Sequence, residues 1–154
     1  MYLSKKHQLI SIDTYQSVVA EAALKAGAHI INDISAGSFD SAILKVVGQY
    51  HAGYIGMHIT GTPDTMHEIE NRTQLIPTLL SYFEAKKVQF KKLGIENWVI
   101  DPGFGFGKTM LENFEMVKKL EVLKALELPI LLGVSRKSTI YKTLGISAEE
   151  ALNG

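Results

Sequence analysis

Apolar and polar positions alternate in blocks along this chain. A short run of β-branched and other apolar residues ends in a polar one, and a stretch of helical periodicity follows. The runs are LISID (9–13), HIIND (29–33), YIGMH (54–58), WVID (98–101) and ILLGVS (130–135). Each is brief and mostly apolar, as expected of strands buried on both faces of a parallel sheet. Between them, residues 15–26 put Val18, Val19, Ala22, Ala23 and Ala26 on one helical face and stop at Gly27, a residue suited to the left-handed turn after a helix. Residues 41–50 align Ile43, Leu44 and Val47. A longer helix is expected from about Pro77 to Gly94, carrying Leu79, Leu80, Phe83 and Phe90, with proline in a first turn where its missing N–H does no harm. Thr109 with Glu112 has the spacing of a capping box that opens a helix through about Leu126, and Ser147 with Glu150 repeats that spacing near the end.

Alternating strands and helices predict an α/β fold with a parallel sheet and right-handed crossovers. An open five-stranded sheet would be complete at this length, whereas a (β/α)8 barrel needs eight strands and usually about 250 residues. Counting alone favours the open sheet. In both architectures ligands bind at the carboxyl ends of the strands, and Asp13, Asn32 with Asp33, His58, Asp101 and Ser135 all sit where an apolar run closes.

Composition narrows the partners. The 154 residues suit a single domain, and 16 basic against 16 acidic residues give no net charge, so no field steers the protein toward nucleic acid or an anionic membrane. Small molecules are the expected partners. Cysteine is absent, which excludes disulfides and thiolate metal sites. No apolar run approaches the roughly 20 residues that span a bilayer, and the basic opening lacks a usable signal core. A cytoplasmic protein is expected.

The segment DPGFGFGK (101–108) holds three glycines alternating with two phenylalanines. Four residues separate Gly103 from Lys108, one fewer than a Walker loop requires, and GxGxxG is absent. Glycine permits positive φ and lets backbone approach a flat ligand, so the segment reads as a ligand clamp rather than a phosphate cradle. His58, His67 and Glu68 suggest a metal, but no HExxH or comparable helical spacing supports one.

The segments ISIDT (10–14), INDIS (31–35), MHITGTPDTMH (57–67), DPGFGFGK and LLGVSRKS (131–138) resemble, in order and approximate spacing, the motifs of the dihydropteroate synthases, pterin-binding TIM-barrel enzymes of folate biosynthesis. The resemblance covers nearly the whole chain and overrides the strand count. It implies a partial (β/α)8 barrel with about five parallel strands, matching strands three to seven, and a single pterin-binding domain (1–154) incomplete at both ends relative to the family.

What the resemblance implies for individual residues is specific. Asp101 corresponds to the carboxylate that binds the amino-pyrimidinone edge of the pterin. Asn32 and Asp13 correspond to the groups that hold its other nitrogens. Met57 lines the pterin pocket, Gly133 is the small position under the ring, and Phe106 packs on p-aminobenzoate. Lys137 contacts the pterin beside the pocket to which Ser138 contributes. Asp101, Lys137 and Asn32 are the implied catalytic residues. Asp33 reads instead as structural, because one of two neighbouring residues on a strand faces away. Arg136 is left unassigned, and Lys108 is read as support for its own loop.

The implied reaction condenses 6-hydroxymethyl-7,8-dihydropterin pyrophosphate with p-aminobenzoate, giving 7,8-dihydropteroate and pyrophosphate, with Mg2+ as the implied cofactor. Sulfonamides are the implied inhibitors. The asparagine of the family's first strand, its Ser-Thr-Arg loop and its closing arginine and histidine have no counterparts in this sequence, so the protein ligand of the metal lies outside the chain and the isolated chain is expected to be inactive. Tyr141 replaces a usual glycine. Two other readings are a pterin-binding methyltransferase domain, against which DPGFGFGK and SRKS argue, and a non-catalytic barrel fragment. The exposed edges of an open barrel also leave a homodimer as an expected assembly.

Overall fold

The computed structural model describes residues 9–62, 64–65 and 74–153. Four of the five apolar runs become strands: β1 (Ser11–Asp13), β2 (Ile30–Asp33), β3 (Gly53–Met57) and β4 (Trp98–Asp101). The periodic segments between them become α1 (Ser17–Lys25), α2 (Ala42–Gln49), α3 (Leu75–Lys92) and α4 (Met110–Lys118); α5 (Ser138–Leu144) follows, which the periodicity does not mark, and 3₁₀ turns lie at Leu120–Leu126 and Glu150–Asn153. The strands pair in the order β1-β2-β3-β4, all parallel. Sequential parallel order without a reversal is that of a partial (β/α)8 barrel, not of a doubly wound open sheet.

Register divides the sheet into two unlike faces. Paired residues share a face and neighbours along a strand alternate. Ile31, Tyr54, Trp98 and Ile100 therefore turn together toward the helices, where they join Leu44 and Val47 of α2 and Leu79, Phe83 and Phe90 of α3 in one buried core. The Phe90 ring meets Tyr54 and Trp98 edge to face at centroid distances of 5.3 and 4.8 Å, the geometry ring quadrupoles favour. Asp40, which the periodicity does not mark, ties the first two helices together. Its carboxylate accepts the Ser17 N–H that opens α1 (2.7 Å) and the Ala42 N–H that opens α2 (3.0 Å).

The fifth run departs from expectation. ILLGVS forms a single bridge, Ile100 with Ile130, and no ladder. The Ile100 N–H donates to the Pro129 carbonyl (3.0 Å) and the Leu131 N–H to the Ile100 carbonyl (2.9 Å). The next rung would need an N–H from residue 102, which is Pro102, and proline has none to give. Leu132 and Val134 still pack against the core.

The helix expected through Leu126 also stops early, at Lys118. Leu120, Leu123 and Leu126 lie three apart, the spacing of a 3₁₀ turn, and Leu123 and Leu126 are buried. Both capping boxes form: Thr109 and Glu112 exchange hydrogen bonds at the start of α4, and Ser147 and Glu150 do so before the last turn. Among the described residues no helix is long and apolar enough to cross a membrane.

Candidate functional site

The sheet face away from the helices carries the polar strand ends. Asp13 pairs with Asn32, Asn32 with Ile55, Ile55 with Val99, and Met57 with Asp101. Because Met57 lies two residues beyond Ile55 and Asp101 two beyond Val99, the four residues Asp13, Asn32, Met57 and Asp101 share this face at the carboxyl ends. Asn32 Nδ2 donates to Asp13 Oδ1 at 2.7 Å, which sets the amide's orientation. A cavity of about 280 Å³ opens beside the pair, lined by Asp13, Thr14, Tyr15, Gln16, Asn32 and Ile34. Met57 is buried, Asn32 and Asp101 are half-buried and Asp13 is exposed.

After Asp101 the chain turns sharply. Gly103, Gly105 and Gly107 take φ of 74°, 79° and 64°, values in the left-handed region that a Cβ disfavours. Space is tight as well: a Cβ at Gly103 would collide with the His58 carbonyl, and one at Gly107 with that of Thr60. The Gly103 N–H donates to Asp101 Oδ1 (2.8 Å). Lys108 folds back so that Nζ donates to the carbonyls of Gly103 (2.9 Å), Phe106 (3.1 Å) and His58 (3.2 Å). Its charge thus braces the loop, the role read from the sequence.

Lys137 approaches from the segment before α5. Its Nζ lies 4.0 Å from the centroid of the Phe106 ring, within cation–π range. Burial pushes the Asp101 carboxyl above the ordinary range, while the Gly103 N–H and the charges of Lys108 and Lys137 pull it back. Burial lowers Lys137, and the Asp101 charge partly restores it. The acid and the base therefore face one partly desolvated space, where an electrostatic contact outweighs its value in water. Gly133 and Ser138 are exposed, and the space around Gly133 is open.

Asp33 faces the helices. It is fully buried and accepts hydrogen bonds from Ser35 N (2.8 Å), Ser35 Oγ (2.7 Å), Gly37 N (2.8 Å) and Tyr54 Oη (2.7 Å). A carboxylate satisfied on that side anchors the turn after β2 and leaves Asn32 to project to the other. Sequence reasoning missed Asn113 and Thr139, which hydrogen-bond behind the glycine loop. The available signal was an asparagine at a helical position that the apolar period assigns to the interior.

Mg2+ favours carboxylate oxygens and retained waters. Among the described residues no group of three or more His, Cys, Asp or Glu is placed to hold a metal ion. The described residues do not fit a resident magnesium. His58 is buried edge to face against Tyr82 at 4.8 Å; His67 and Glu68 lie outside the described residues, as do Pro63 and Met66 of the third motif.

A larger cavity, about 510 Å³, opens at the amino ends of β2–β4 between Ile30, Ile55 and Val99. It is mostly apolar and far from the acid–base pair, so chemistry rather than size assigns the site to the carboxyl ends.

Comparison with known proteins identifies the family. The sequence profile of the family described as pterin binding enzyme matches residues 2–153. A dihydropteroate synthase from Synechocystis sp. is 42% identical over 137 residues, which cover 88% of this chain and 47% of that protein. The Escherichia coli enzyme of the same name is 35% identical over 147 residues, 94% of this chain and 52% of its own length. This chain thus spans about half the length of the curated relatives it matches. The dihydropteroate synthase of Yersinia pestis, solved with a sulfonamide drug complex, superposes with a TM-score of 0.94 at 29% identity, covering 99% of this chain and 57% of the other. That of Thermus thermophilus in complex with 6HMPPP gives 0.88 at 31% identity, covering 94% and 58%.

Proposed function

This chain belongs to the pterin-binding enzyme family, and on that premise we propose that its function is that of a dihydropteroate synthase, joining 6-hydroxymethyl-7,8-dihydropterin pyrophosphate to p-aminobenzoate in folate biosynthesis. One observation carries the reading. Asp101, half-buried at the end of β4, shares a sheet face with Met57, Asn32 and Asp13 and a desolvated space with Lys137. An ionised carboxylate there accepts adjacent N–H donors from the amino-pyrimidinone edge of a pterin bidentately. Relatives crystallised with 6HMPPP and with 4-aminobenzoate have the same fold over 94% of this chain.

The division of labour is the one the family resemblance implies, and the shared face of Asp13, Asn32, Met57 and Asp101 supports it. Asp101 binds the pterin edge while Asn32, oriented by Asp13, engages the ring from the neighbouring side. Met57 forms the wall and Gly133 leaves room for the flat ring. As the C–O bond to pyrophosphate breaks, positive charge develops on the pterin, and the preorganised Asp101 carboxylate and Asn32 amide stabilise it. The p-aminobenzoate nitrogen then attacks the exocyclic methylene, with Phe106 against its ring and Lys137 and Ser138 beside it. A neutral aromatic amine is nucleophilic without a strong general base. Mg2+, which the described residues do not hold, would supply charge neutralisation for the leaving pyrophosphate. Residues 1–154 act as one pterin-binding domain, in a cytoplasmic homodimer that takes small molecules rather than nucleic acid.

The test is calorimetric titration of the 154-residue polypeptide with the pterin pyrophosphate, followed by a pyrophosphate-release assay with p-aminobenzoate. Pterin binding with little turnover is expected. The groups present serve the pterin, and loss of even one preorganised contact to a developing charge costs on the order of 100- to 1000-fold. Turnover matching that of the longer relatives would refute this assignment of roles, and absence of any pterin affinity would refute the site.

A further inference from the structure

Asn113 lies in the buried face of α4 with only 1% of its surface exposed. Its Oδ1 accepts the Gly105 N–H (2.8 Å), and its Nδ2 donates to Thr139 Oγ1 (3.0 Å) and to the Lys108 carbonyl (3.3 Å). A primary amide has two N–H donors and one carbonyl acceptor, and here the nitrogen has two acceptors and the oxygen a donor. The Gly105 N–H can only donate, which identifies the atom facing it as oxygen. Burial of an amide is costly without such partners, and a leucine would fill the position more cheaply. The polar residue therefore calls for a reason beyond packing.

That reason lies at the two ends of the bridge. Gly105 immediately precedes Phe106, and Thr139 follows Lys137 by two residues. Phe106 and Lys137 come from separate segments, yet Nζ sits 4.0 Å from the ring centroid. An ammonium is attracted by an aromatic face only within about 6 Å of its centroid, and the glycine-rich backbone that carries Phe106 adds little stiffness of its own.

We propose that Asn113 is a positioning residue: through Gly105 and Thr139 it holds the glycine loop in register with the start of α5, so that Lys137 and Phe106 together form one wall of the site for the aromatic amine. The assignment of that wall to the amine rests on the dihydropteroate synthase reading, whereas the register itself does not.

Three variants separate the contributions. Thr139→Val removes the acceptor at nearly constant size, Thr139→Ser restores it, and Asn113→Asp keeps the acceptor for Gly105 while removing both N–H donors. The first readout is NMR of the lysine-labelled chain. The Lys137 methylene next to Nζ, assigned by Lys137→Arg, is expected upfield because the Phe106 ring lies beneath it. That shift is expected to collapse in Thr139→Val and Asn113→Asp and to persist in Thr139→Ser.

The second readout is calorimetric titration of p-aminobenzoate into the pterin-loaded chain. Thr139→Val is expected to weaken amine binding about tenfold, the equivalent of one net hydrogen bond, and pterin binding clearly less, since Lys137 is only one of the groups that meet the pterin. An unmoved Lys137 signal in both disruptive variants would overturn the proposal. So would equal weakening of both ligands, or failure of Thr139→Ser to restore the contact, since either indicates general packing. A wild-type chain that shows the NMR pattern but takes up no p-aminobenzoate would support the register and refute the dihydropteroate synthase reading.

Discussion

Replacing Asp101 with asparagine is expected to move stability and binding in opposite directions. The amide keeps an oxygen for the Gly103 N–H, which Asp101 Oδ1 accepts at 2.8 Å, but turns the other oxygen into a donor facing donors on the pterin. Two charge-assisted hydrogen bonds are lost or reversed, at about 1.5–3 kcal/mol each before compensation by water, so a net loss of about 3–4 kcal/mol, on the order of 100- to 1000-fold in Kd, is expected. Stability goes the other way. Burial raises the Asp101 carboxyl above its ordinary value, so between the unfolded and folded pKa values the native state holds the proton more tightly than the unfolded chain does. Unfolding free energy therefore falls as pH rises through that window, and the full cost of a buried charge is present at neutral pH. Asp101→Asn is expected to be at least as stable as the wild type at pH 7, with the gap closing as pH falls toward the ordinary carboxylate range.

The assay pairs pterin calorimetry with urea unfolding from pH 4 to pH 8, followed by the fluorescence of Trp98, the single tryptophan, which is buried against Phe90. Pterin binding within about threefold of wild type would refute Asp101 as the pterin ligand, since a single hydrogen bond to a charged group is worth about 1.5 kcal/mol or more, over tenfold. A variant less stable at pH 7 than at pH 4, relative to wild type, would refute the desolvation argument.

Two further substitutions test what supports the site. Tyr54→Phe removes the hydroxyl that donates to buried Asp33 at 2.7 Å while leaving three donors in place, and is expected to cost about 2 kcal/mol, roughly 4–8 °C in Tm; a Tm within about 1 °C of wild type would mean that the bond is offset by hydration of the unfolded chain. Gly103→Ala puts a Cβ into the His58 carbonyl at φ of 74°, and the sum of left-handed strain and overpacking is expected to reach at least about 2 kcal/mol. A urea-unfolding loss below about 0.5 kcal/mol, the range of neutral surface changes, would show that the loop relaxes freely.

The sequence by itself determined the α/β alternation, because strand and helix periods are local properties of which residues are apolar. It marked Asp13, Asn32, His58 and Asp101 as strand ends for the same reason: each closes an apolar run. Local chemistry also made both capping boxes legible, since Ser or Thr and Glu three residues apart need no tertiary partner. Whether the strands formed an open sheet or part of a barrel was not legible from periodicity, which does not encode strand order; the motif resemblance supplied that answer, and the parallel pairing β1-β2-β3-β4 bears it out.

Tertiary structure alone decided the rest. ILLGVS has a strand's composition, but a ladder needs a partner with N–H groups to offer, and Pro102 withdraws the next one. Asp13 and Asn32 share a face because register aligns them, whereas adjacent Asp33 is turned to the helices and consumed by four donors. The interior position of Asn113 was legible along the chain, but its role was not, because its partners, Gly105 and Thr139, lie 8 and 26 positions away. Burial, which disfavours the Asp101 and Lys137 charges while each supports the other, depends on what surrounds a residue in space, and that is settled only when distant segments pack together.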